Sequence, residues 1–170
     1  TSGNSWGNDF IAVQVLNPPP PSLFYVDDDA PFDAGPGDPA VSDLSEDGSA
    51  GHPFDAIQEG IDAAVTGDIV IILSGTYTGR GNRDLDFKGK DITVRSEDPN
   101  DPSLVTIVCD GTVDEPHRGF YFHSCETSLS VLDGLTVTGG YHESGGGIYF
   151  DDCAQPTVTN CIFTGNSASL

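Results

Sequence analysis

The chain has very little positive charge. Only 6 of its 170 residues are Lys or Arg, against 27 Asp plus Glu, for a formal net charge of −21. All six bases lie between Arg80 and Arg118, and residues 1–60 carry 11 acids and no base. Binding nucleic acid through its phosphates needs a positive face, so that class is disfavoured. The same reasoning disfavours an anionic membrane surface. No apolar run approaches the ~20 residues of a membrane-spanning helix, so membrane insertion is not expected. Methionine is absent, and no Asn-x-Ser/Thr sequon occurs. The four cysteines lack Cys-x-x-Cys spacing, which argues against zinc. His52, His117, His123 and His142 have no Ser or Cys partner at a recognisable spacing, so a nucleophilic triad is unsupported.

What the chain does contain is a unit written twice between Arg118 and Ser169. Gly119, Tyr121, Phe122 and Cys125 recur as Gly147, Tyr149, Phe150 and Cys153, 28 residues on. Val131, Asp133 and Leu135 align with Val158, Asn160 and Ile162 at a spacing of 27. A period in this range indicates a repeat architecture. Each copy holds short β-rich runs cut by Gly, Asn and Asp, the pattern of a solenoid whose unit is one coil of strands.

Residues 1–22 stand apart as an N-terminal arm. Phe10, Ile11, Val13, Val15 and Leu16 belong to an apolar strand candidate, followed by the stiff Pro18–Pro21 spacer. Such a strand can fold back on its own solenoid or add to a neighbouring subunit. The domain proper, 23–170, opens with a strand at Leu23–Val26. A long Pro/Gly/Asp-rich loop follows over 33–51, and loops of that length are usually functional or ordered by a metal. Asp27, Asp29, Asp38, Asp43 and Asp47, with Glu46, are oxygen ligands suited to Ca2+, although the spacing is not that of an EF-hand. The alternative is a solvated acidic surface. Residues 55–66 predict one helix, with Asp55 as N-cap, Gln58 completing a capping box and Gly67 just past the end. Ile57, Ile61, Ala64 and Val65 give it one apolar face. A lone amphipathic helix ahead of a repeat array is expected to cap it. Strands are expected at 69–73, 85–87, 92–95 and 105–109, with a turn at 75–77.

Several stretches resemble a known family. Tyr25-Val-Asp, the 47–58 segment with His-Pro-Phe-Asp-Ala-Ile-Gln, Gly-Asp-Ile-Val (67–70) and Gly-Thr-Tyr (75–77) are similar to the N-terminal cap and first coil of pectin-lyase-like proteins. Gly-Gly-Gly-Ile-Tyr (145–149) and Pro-Thr-Val-Thr-Asn-Cys-Ile-Phe-Thr-Gly-Asn-Ser-Ala (156–168) resemble the coil repeat of secreted bacterial proteins related to polymorphic outer-membrane proteins. The resemblance covers roughly 24–168 and implies an all-β, right-handed parallel β-helix of about five coils. It implies little about activity, because many functions share the fold.

In such a coil, equivalent residues on successive turns lie ~4.8 Å apart. Cys125 and Cys153 are then within reach of a disulfide, with stacked free thiols as the alternative. Cys109 and Cys161 do not align and read as buried single thiols. Tyr121 and Tyr149 point to one side of the strand and Phe122 and Phe150 to the other, and an exposed tyrosine ladder can bind sugar rings. The enzymes of this fold cleave acidic polysaccharides, using carboxylate-held Ca2+ beside a basic residue, or converging carboxylates. Asp84, Asp86, Lys88, Lys90 and Arg95 form one mixed cluster in the sequence, and Asp133, Asp151 and Asp152 another. Neither matches a catalytic signature, so no catalytic residue is assigned. The expectation is a secreted, non-catalytic structural protein of the extracellular space or cell surface, its leader removed. It would assemble head-to-tail with copies of itself through an open C-terminal coil and the Phe10–Leu16 arm. A fragment of a longer β-helix would present the same open coil. The alternative function is a polysaccharide-binding or Ca2+-dependent lyase-like module.

Overall fold

A computed structural model describes residues 19–29, 45–151 and 153–169. Parallel strands stack in register into a β-solenoid of about four turns, with a single α-helix near its N-terminal end. The first face is a five-stranded sheet: β1 (Leu23–Val26), β2 (Ile69–Ile72), β4 (Thr93–Ser96), β7 (Val131–Asp133) and β11 (Thr157–Thr159). The second holds β3 (Gly75–Thr78), β5 (Val105–Val108), β8 (Thr136–Thr138) and β12 (Ile162–Thr164). The third is carried by β6 (Phe120–Phe122) and β10 (Ile148–Phe150), extended by a bridge from Leu85 to Phe120. Short strands β9 (Tyr141–His142) and β13 (Ser167–Ala168) pair at the corner between the second and third faces. The described residues form about four turns rather than the five expected, the described chain between β1 and β2 contributing the helix.

Alternation along each strand sends one residue in two inward, and stacking turns those residues into columns. Val70, Val94, Leu132 and Val158 form one. Tyr77, Ile107, Val137 and Phe163 form another. On the third face Phe87, Phe122 and Phe150 stack with centroids 4.8 and 5.7 Å apart. The middle members of every column are fully buried. Gly75–Thr78, expected as a turn, is a strand because Tyr77 is needed in its column, where its hydroxyl donates to the carbonyls of Leu73 and Val26.

The register over the last two turns differs from the sequence alignment. Thr157 pairs with Val131 and Ile162 with Thr136, a spacing of 26 rather than 27. A slip of one residue would turn Val158 outward and break the inward column it shares with Leu132. The corners obey the same 26-residue period. Gly134 (φ 74°) and Asn160 (φ 50°) occupy equivalent left-handed positions, a conformation Gly and Asn tolerate best. By this register Cys161 stands on Leu135, both belonging to or packed against the core.

The helix α1 spans Ile57–Ala63, shorter than 55–66, and buries Ile57, Gly60 and Ile61 against the start of the solenoid. Asp55 does not cap it. The N-cap is Ala56, without a side-chain cap. The first N–H groups go instead to the following turn: Ile57 donates to Asn82 Oδ1 at 2.9 Å and Gln58 to the Gly81 carbonyl at 2.9 Å. Gln58 spends its side chain on the backbone of Asp86 and on Asp62. The C-terminus is closed by Lys90, whose Nζ donates to the carbonyls of Ile61, Asp62 and Ala64 at 2.8–2.9 Å. A cation on those carbonyls complements the helix dipole as well as their unmade hydrogen bonds.

Candidate functional site

The third face is where chemically active side chains converge. Its strands are short, and each turn delivers one outward residue per rung. The register places Tyr149 over Tyr121, with centroids 5.6 Å apart and ring planes 37° apart. Asp86, one residue beyond the Leu85–Phe120 bridge, heads the same column. His123 lies beside Tyr121 with its ring stacked at 4.1 Å. Behind the two tyrosines Arg118 is 6% exposed, its Cζ 4.7 Å from the Tyr121 centroid and 5.1 Å from that of Tyr149. Its Nη2 is 2.7 Å from His142 Nε2. Burial lowers the Arg118 pKa from its ordinary value, which still leaves a guanidinium charged at neutral pH. The result is a rigid pair of aromatic faces held by cation–π contact.

Two carboxylate–imidazole pairs flank the ladder. Asp84 Oδ2 is 2.6 Å from His117 Nδ1, and its other oxygen accepts the Arg118 backbone N–H at 2.9 Å. Asp84 adopts a left-handed conformation (φ 55°), which aims its carboxylate back at the next turn. Asp86 Oδ2 is 3.2 Å from His123 Nε2. Asp151, at the end of β10, lies on the same side.

The mixed cluster read from the sequence is pulled apart by the fold. Asp84 and Asp86 join this face. Lys88 pairs with Asp62 at 2.7 Å, Lys90 closes the helix, and Arg95 donates to the carbonyls of Ser96 and Glu97. Arg83 donates to the Cys109 carbonyl at 2.9 Å. Asp133 accepts from Thr159 and Asn160 on the first face, away from Asp151, and Asp152 lies outside the described residues.

Of the carboxylates expected to hold a cation, Asp38 and Asp43 lie outside the described residues. Asp27 accepts the Asp29 N–H at 3.2 Å, and Asp47 accepts the Ser49 N–H at 2.9 Å, which lowers the pKa of Asp47. Among the described residues the one convergent trio is Glu46, Asp55 and Glu59. Asp55 is 3% exposed, and desolvation, with the Glu46 carboxylate beside it, raises the Glu59 pKa against a hydrogen bond from Asp55 that lowers it. The donor set is hard oxygen, and three carboxylates would supply part of the six to eight oxygen ligands Ca2+ takes. Asp28, unremarked in the sequence, is 1% exposed, and burial together with Asp29 and Asp27 pushes its pKa up to about 6.

Cys125 and Cys153 form a disulfide between adjacent turns, with Cα atoms 4.7 Å apart. Cys109 and Cys161 are free thiols, and burial pushes Cys109 up to about 12. Neither is an activated nucleophile. The strand candidate Phe10, Ile11, Val13, Val15, Leu16 lies outside the described residues; Pro19–Pro21 run beside Val65–Asp68, where Ser22 N–H donates to Asp68 at 2.8 Å.

Sequence reading found the tyrosine ladder but not Arg118 or His142 behind it. The available signal was a break in the repeat: Arg118 precedes Gly119, whereas its equivalent before Gly147 is Gly146. No protein-family model, curated protein or solved structure matches this chain.

Proposed function

We propose that the chain is a secreted, non-catalytic glycan-binding solenoid whose ligand lies along the third face. The observation that carries this is the Tyr121–Tyr149 ladder on consecutive turns, half-buried and braced by Arg118. Tyrosine offers an apolar ring for the C–H face of a sugar and a hydroxyl for its oxygens. Rungs ~4.8 Å apart suit successive units of a linear polysaccharide running along the solenoid axis. The Cys125–Cys153 bridge supports an oxidising, extracellular setting. Resemblance to the pectin-lyase-like superfamily supports the same ligand class. Catalysis is not part of this reading, because the described bases needed for a lyase are committed elsewhere, Lys88 to Asp62 and Lys90 to the helix.

The test is retention of the purified chain on a panel of immobilised polysaccharides, with Tyr121→Ala and Tyr149→Ala alongside. Retention by at least one glycan, lost in both variants, is expected. Binding indifferent to both substitutions would sink the proposal, as would release of unsaturated sugars.

A second reading is self-assembly. The last turn leaves Ile162 45% and Phe163 37% exposed, and the outer edges of β11, β12 and β13 are unpaired among the described residues. Another coil, from a longer chain or from a second copy, would cover them, and repeated head-to-tail contact builds a filament. Electron microscopy and sedimentation separate the cases: filaments or a concentration-dependent mass support assembly, and a constant monomer mass removes it.

A further inference from the structure

We infer that the glycan taken by the third face carries free amino groups, and that the acidic polysaccharides cleaved by enzymes of similar fold are excluded from it. This deepens the glycan reading above and rests on it.

The argument is an inventory of charge. A uronate or sulfated polymer needs cations placed to receive it. Four of the six bases are already spent within the chain. Lys88 is on Asp62, Lys90 on three helix carbonyls, Arg95 on Ser96 and Glu97, and Arg83 on Cys109. Arg118 lies behind the tyrosine rings at 6% exposure, so a ligand on the outer side meets aromatic carbon first. Only Arg80 has no such anchor among the described residues. The carboxylates, in contrast, line the ladder. Asp86, paired with His123, heads the Tyr121–Tyr149 column, Asp84, paired with His117, stands next to it with its side chain 46% exposed, and Asp151 follows two residues beyond Tyr149.

An ammonium on the outer side of these rings is attracted by the carboxylates and the electron-rich rings, with the Arg118 guanidinium opposing it from behind. A carboxylate-bearing sugar is repelled by these carboxylates, in a chain whose net charge is −21 and where His117 and His123 are already paired with Asp84 and Asp86. Charge complementarity therefore selects a polymer of amino sugars over its acidic counterparts.

The experiment uses one backbone in two states. Oligosaccharides of N-acetylglucosamine, their deacetylated counterparts and an oligogalacturonate are titrated against the chain at low and high salt below neutral pH, where the amines are charged. The deacetylated form is expected to bind roughly threefold to tenfold more tightly than the acetylated one. The gap should close as salt rises, and the oligogalacturonate should not bind. Asp86→Asn should bring the two affinities together. Tyr149→Ala should weaken both. Equal affinities for the acetylated and deacetylated forms, or preference for the uronate, would overturn the inference and leave the aromatic ladder standing as a glycan site. Failure of all three ligands to bind would overturn the inference itself, and the broader glycan reading falls only if the immobilised panel is negative as well.

Discussion

Tyr149 lies directly over Tyr121, and Arg118 touches both rings from behind. On the other side of the same two strands Phe150 lies over Phe122. One pair of rungs thus carries a core stack and a surface stack, separated only by strand alternation. The two should respond to truncation in opposite ways. Phe122→Ala empties a fully buried position and should cost about 3–5 kcal/mol in chemical denaturation. Tyr149→Ala should cost under about 1 kcal/mol, mostly lost cation–π contact, while abolishing retention on glycans. A Tyr149→Ala variant that unfolds like Phe122→Ala would show the outer ladder to be structural.

The disulfide closes a loop of 28 residues between adjacent turns. Constraining an unfolded loop of that size stabilises the fold by about 3–4 kcal/mol. Replacing both Cys125 and Cys153 by Ser should lower the melting temperature, and adding reductant should then change nothing further. An unchanged melting temperature would mean that the stacked turns hold without the bridge.

Stability should fall as pH rises from about 4 to about 6. The Asp28 pKa is raised from 3.8 to about 6, so the folded state favours the protonated form. That contribution is complete below pH 3.8 and is lost as pH passes through 6, a cost of about 3 kcal/mol at neutral pH. Glu59, also raised by desolvation, acts with the same sign. Asp68 opposes it: the backbone N–H groups of Val65 and Ser22 hold its pKa below 3.8, so its contribution is present above that value and lost in stronger acid. Asp28→Asn should flatten the profile between pH 4 and 6 and raise stability at pH 7. Denaturant midpoints measured across that range decide it, and an unchanged slope in Asp28→Asn would refute the assignment.

Lys90 ties the helix to the solenoid by donating to three carbonyls at the end of α1. Lys90→Met keeps the aliphatic stem and removes the donors, and should cost about 1.5–3 kcal/mol, the range for hydrogen bonds to a charged group. Hydrogen exchange should show the loss first in residues 57–64. Protection unchanged there would mean that packing of Ile57 and Ile61 alone holds the helix.

The repeat made the solenoid legible because its signal is redundant. A 28-residue spacing that matches Gly119, Tyr121, Phe122 and Cys125 at once leaves few folds that can use it. Matched chemistry was a poorer guide to the later strands. Val131 aligns by type with Val158, yet Leu132 is its partner, because the inward column decides which residue must face the core. The helix was visible in its apolar spacing, but its caps were not. Asn82, Gly81 and Lys90 reach it from positions that only folding brings near.

The candidate site divides along the same line. Composition and period alone determined that this is an acidic, repeating β chain with two tyrosines on equivalent rungs. The tertiary structure decided which charges accompany them. It sent Lys88, Lys90 and Arg95 to internal carbonyls and a carboxylate, buried Arg118 behind the rings, and left Asp84 and Asp86 beside them with His117 and His123. The reason is physical. Strand alternation is a local property that a sequence displays directly, whereas the partner of a charged side chain depends on which turn lies above or below it, and that is set by loops of unequal length between the rungs.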